Sequence, residues 1–123
     1  MIIVSETERE FDMNEAMSEA ISRLINTMIV DYDRWQTANG TREKTDVQVT
    51  MYQDYSASLS AEVGRKYIKI VSNGSVKAFV VNTENDKNFR YGDILKPASW
   101  AAPARNFARG NVFEDFNIMW TGA

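Results

Sequence analysis

The sequence predicts an α+β fold: one long N-terminal helix packed on a small antiparallel sheet, with a long ordered C-terminal loop. Three observations predict it. Apolar residues recur at spacings of three and four between Met13 and Trp35. After Gly40 the period shortens to that of strands. From Lys96 to Asn111 periodicity disappears, although aromatic residues do not.

The helix is expected over about 13–37. Met13, Met17, Ala20, Ile21, Leu24, Ile25, Met28, Ile29, Tyr32 and Trp35 form one apolar stripe. Asp12 or Asn14 would cap it, and acids crowd its first turn, where the helix dipole favours them. Asn39-Gly40 supplies the stop. Residues 1–11 read as a short strand or arm. A stripe this wide suggests more apolar surface than one small sheet covers, and so a homo-oligomer, a dimer or higher.

The sheet is expected over about 45–95. In Thr45–Tyr55 (TDVQVTMYQDY), Val47, Val49 and Met51 alternate with polar residues, the pattern of a half-buried strand. Leu59–Val63 is ambiguous, and Gly64 ends it. Tyr67–Val71 and Val76–Val81 flank Ser72-Asn73-Gly74-Ser75, and Asn-Gly between two β-rich runs marks a hairpin. Thr83–Lys87 is a polar loop, Ile94-Leu95 a short apolar step, and Val112–Trp120 a last strand or short helix. A chain of 123 residues with no internal repeat reads as a single domain, 1–123.

Composition narrows the chemistry. The chain has no cysteine and no histidine. Thiolate nucleophiles and disulfides are excluded, and the commonest general base and transition-metal ligand are missing. No resident metal or cofactor is expected. Glu114-Asp115, or Asp31 with Asp33, could hold Mg²⁺ or do acid–base work only with partners that no motif supplies. There is no P-loop, no dinucleotide fingerprint and no nucleophile elbow. No apolar run is long enough to span a bilayer, and the start lacks a basic region, so neither a membrane partner nor a signal peptide is expected and a cytoplasmic location is. The net charge of −3 argues against a stable nucleic-acid partner.

The informative stretch is the expected ligand-binding loop, about 96–111, within YGDILKPASWAAPARNFARGN. Both prolines of the chain, Pro97 and Pro103, stiffen it. Lys96, Arg105 and Arg109 face no acid within 96–110. Guanidinium forks suit phosphates, aromatic faces such as Trp100 and Phe107 suit bases, and Asn111 offers both a donor and an acceptor. Plainer readings stand beside these. Trp100 could plug the core, Arg105 and Arg109 could lie on one exposed face or pair with the acidic N-terminus, and Lys66 and Lys69 could form a solvated strand edge.

The KYIKIV run, the hairpin and GDILKPASWAAPARNFARGN resemble a family of small phage and prophage proteins, the first-described Thoeris anti-defence sponges. The resemblance covers roughly residues 66–111. It implies a non-enzymatic protein that sequesters a small anionic nucleotide signal, glycocyclic ADP-ribose or a relative, in the cytoplasm of an infected bacterium. It also implies a long helix with an antiparallel sheet and assembly as dimers or higher oligomers. Lys96, Ser99, Trp100, Arg105, Arg109 and Asn111 fall in the matching segment as ligand-binding candidates. The residues themselves leave other classes open: a phage protein that caps a host enzyme through the same aromatic-arginine patch, a single-strand binder, or a carboxylate hydrolase.

Overall fold

The computed structural model describes residues 13–123, so the arm expected over 1–11 lies outside the described residues. Helix α1 spans Glu15–Gln36. Asn14 caps it, its side-chain oxygen accepting the Met17 N–H at 2.7 Å. Past Thr37 three successive residues, Ala38, Asn39 and Gly40, take positive φ and turn the chain away. The stripe buries Met17, Ala20, Ile21, Leu24, Met28 and Tyr32.

Residues 46–58 are not a strand. They form helix α2, Asp46–Ser58, which corrects the reading of 45–55 as a half-buried strand and moves the start of the sheet to Leu59. The local reason is a complete capping box. Gln48 N–H donates to Thr45 Oγ1 at 3.2 Å and Thr45 N–H donates to Gln48 Oε1 at 3.0 Å. The tertiary reason is the tyrosine pair. Tyr52 and Tyr55 fall on the core side, and Tyr55 stacks on Tyr32 of α1 with ring centroids 4.5 Å apart. The residues that mimicked strand alternation, Val47, Val49 and Met51, end up in solvent.

The sheet has four strands, β1 Leu59–Val63, β2 Tyr67–Ser72, β3 Ser75–Val81 and β4 Ile94–Leu95, in the order β1-β2-β3-β4 with every pair antiparallel. The expected hairpin is present. Asn73 at φ 49° and Gly74 at φ 75° are both left-handed, as the favoured two-residue turn requires. One face of the sheet, through Ile68, Ile70, Ala78, Val80 and Ile94, joins α1 and α2 in the main core. On the other face Phe79, Val81, Phe89 and Leu95 form a second, smaller cluster, packed against Tyr67, Val76 and Ala108. Ala108 comes from the 96–111 loop, so that loop helps cover the face opposite the helices.

The tail is neither strand nor helix beyond a bridge between Met119 and Gly122. It is held by specific contacts. Trp120 N–H donates to Asp31 Oδ2 at 2.8 Å, and its carbonyl accepts the Tyr55 hydroxyl at 2.8 Å. Burial, with Asp31 nearby, pushes the Tyr55 phenol up, so it stays a donor. Among the described residues, no helix is long and apolar enough to cross a membrane.

Candidate functional site

The loop from Lys96 to Asn111 has no helix or long strand, yet backbone bonds pin it. Arg109 N–H reaches Ile94 O at 2.7 Å, and Ile94 N–H reaches Gly110 O at 2.8 Å, so the returning chain runs beside β4. Further out, Ala104 N–H donates to Lys96 O at 2.7 Å and Pro97 bridges Pro103. The tip is a tight turn. The Ser99 hydroxyl accepts from Ala101 and Ala102 N–H groups. Both prolines sit in the bridge at the base of this turn, where each ring fixes its own φ.

The six candidate residues divide into two groups. Asn111 is structural. It is 3% exposed, its amide donates to Tyr91 O at 2.9 Å and Asp93 Oδ1 at 3.0 Å, and its oxygen accepts Phe113 N–H at 2.9 Å. Both amide hydrogens and one acceptor position of the oxygen are engaged within the fold. Arg105 is half committed. One terminal nitrogen donates to the Tyr67 hydroxyl at 2.5 Å and the other to Asp86 Oδ1 at 2.9 Å, and its guanidinium lies 4.9 Å from the Phe89 ring centre. Among the described residues its ion partner is Asp86, on the loop after β3.

Lys96, Ser99, Trp100 and Arg109 are exposed. Trp100 is not a core plug, since 47% of it faces solvent. The Lys69 ammonium stands 4.4 Å from its ring centre. Phe107, 54% exposed, carries the Arg109 guanidinium 4.3 Å from its own ring centre. Cation and aromatic ring are therefore presented together twice on one loop and the strand beneath it. Lys69 is accordingly a partner of Trp100 rather than a mere guard of a strand edge.

Beside the loop lies a cleft of about 440 Å³ that the sequence reading missed. Arg65 and Lys66 line it from the turn after β1, Thr83, Asn85, Asp86, Lys87 and Asn88 from the loop after β3, and Arg105 from the long loop. A charge count by region would have pointed to it. Residues 65–109 hold nine Lys and Arg against three Asp and Glu, whereas residues 1–64 hold five against twelve. The modest net charge hides this polarity. Among the described residues, no cluster of three or more acids has the arrangement to hold a metal ion.

A family model described as a family of unknown function, DUF7717, matches residues 4–121. The chain belongs to that family. No curated protein and no solved structure matches it.

Proposed function

We propose that this protein is a binder rather than an enzyme, and that it captures a small phosphate-bearing nucleotide on its 96–111 loop without cleaving it. The observation that carries the reading is the pair of exposed cation–aromatic units, Lys69 with Trp100 and Arg109 with Phe107. Such units offer a flat apolar face to a base and a charge to a phosphate in one place. The pinned backbone means little of the loop has to be ordered on binding. Lys96 and Ser99 would add contacts at the rim. Arg105 would act mainly by bracing.

The biological form of this reading is sequestration by mass action: an immune signal of the cyclic ADP-ribose kind is held and its free concentration falls. Its support is the resemblance of the 66–111 segment to the anti-defence sponges. The same surface also suits capping of a host enzyme, for which exposed Trp and Arg are the usual anchors. Incubation with glycocyclic ADP-ribose tests the first reading. Free ligand should be depleted, and heating the complex should return it unchanged. New hydrolysis products would refute sequestration, and no depletion would favour the capping reading.

A further inference from the structure

Independently of the loop surface, we propose that the 440 Å³ cleft is a second site, and that it binds a compact polyphosphate group, a diphosphate or triphosphate. Its volume falls within the ~300–1,000 Å³ usual for small-molecule sites. Arg65, Lys66, Lys87 and Arg105 line it, and with Arg105 set against Asp86 the described lining keeps an excess of three positive charges (four cations less one acid). The Thr83 hydroxyl and the Asn85 and Asn88 amides add uncharged donors to the lining.

Among the described residues one acid, Asp86, lines the cleft, and its carboxylate is already engaged. Its Oδ1 accepts N–H groups from Asn88 at 2.9 Å, Phe89 at 3.1 Å and Arg105 at 2.9 Å. Its side chain is 2% exposed. The carboxylate is turned into its own loop and neutralised by Arg105, so it presents little negative charge to an incoming anion. Arg105 spends two N–H groups on Asp86 and Tyr67, out of the five a guanidinium carries.

The walls come from three separate stretches of chain, and they are tied together in advance. Asn82 N–H donates to Lys66 O at 2.8 Å and Asn82 Nδ2 donates to Gly64 O at 2.9 Å, joining the loop after β3 to the turn after β1. The Arg105–Asp86 pair joins the third stretch. Several cations held around one cleft match a group carrying three or four negative charges better than a single carboxylate. The phosphate could come from free polyphosphate or from the tail of a nucleotide.

Titration calorimetry at low salt with pyrophosphate, orthophosphate, ADP and adenosine tests the site. Pyrophosphate should bind saturably, orthophosphate more weakly, and adenosine should give no signal at this cleft. The Lys66→Gln/Lys87→Gln variant, checked for an unchanged melting temperature, should bind pyrophosphate about tenfold more weakly or worse. Trp100→Ala should leave pyrophosphate affinity untouched, which separates this site from the loop surface. Measured in the Trp100→Ala protein, ADP much tighter than pyrophosphate identifies a nucleotide tail, and equal affinities identify free polyphosphate. Pyrophosphate that fails to saturate the folded wild type, or that binds the double variant equally well, overturns the proposal. So does orthophosphate binding as tightly as pyrophosphate.

Discussion

Arg105 and Asp86 meet at 2.9 Å across 19 positions of sequence, and through this pair the long C-terminal loop is fastened to the loop after β3. The bond is embedded in others. Tyr67 of β2 accepts from the same guanidinium, Phe89 lies beneath it, and two backbone N–H groups complete the carboxylate. The Arg105 hydrogen bond, with the Asn88 N–H next, holds the Asp86 carboxyl well below the usual carboxylate range.

The pH consequence follows from the sign of that shift. A carboxylate whose folded pKa is depressed stabilises the fold above its unfolded value, near 4, and loses that contribution as pH falls toward the lower folded value. Wild-type stability should therefore drop as pH falls below about 4, and Asp86→Asn should show a shallower drop over the same range. Urea midpoints across an acid series measure this. Identical slopes would remove the pair from the account.

Asn111→Ala should be costly although the residue sits in the candidate loop. Its amide and oxygen satisfy Tyr91 O, Asp93 Oδ1 and Phe113 N–H in a buried position. Losing them should destabilise the protein by about 1–3 kcal/mol, read by thermal or urea unfolding. A variant as stable as wild type would return Asn111 to the list of ligand contacts.

The exposed aromatic residue should behave in the opposite way. Trp100→Ala removes a half-exposed ring and one cation–π contact, so it should cost only about 0.5–1 kcal/mol of stability. Nucleotide binding should fall instead. Arg109→Ala should weaken binding roughly 10- to 100-fold through loss of a charge-assisted contact, with the melting temperature nearly unchanged. Calorimetric binding beside thermal melts checks both. An Arg109→Ala protein that melts early and binds normally would show the arginine to be structural.

Helix α2 can be tested where it contradicts the alternating pattern. Val47 is 68% exposed on the helix, so Val47→Glu should change stability by less than about 0.5 kcal/mol. Thr45→Ala should cost about 1 kcal/mol through the lost cap. Chemical denaturation of the two variants gives the comparison, and a large loss at Val47 would restore the strand.

Light scattering tests the assembly. The α1 stripe is largely covered by the chain's own sheet and α2, but Trp35 (57% exposed), Val47, Met51 and Met119 leave apolar surface on the outside. A homo-oligomer well above the 14.0 kDa chain mass is expected. A monomer at working concentration would refute it.

By itself the sequence determined what depends on near neighbours. The stripe from Met17 to Tyr32 and the Asn73-Gly74 turn are local patterns, because helix faces and left-handed turns are fixed within a few residues; the cap was legible only as Asp12 or Asn14. The order of the loop was legible too, since Trp100, between the two prolines, and Phe107, just beyond them, are costly to leave in water. Tertiary structure decided the rest. Thr45–Tyr55 satisfies a strand period and a capped helix equally, and the stacking of Tyr55 on Tyr32 selects the helix, a contact that no local window contains. Asn111 and Arg105 look like ligand contacts in sequence because polar side chains declare a capacity to bond and not a partner. Asp93 and Asp86, 18 and 19 positions away, claim them only once the chain has folded back along β4 and across the sheet. The basic cleft exists for the same reason: Arg65, Lys87 and Arg105 are far apart along the chain, and the sheet brings them to one opening.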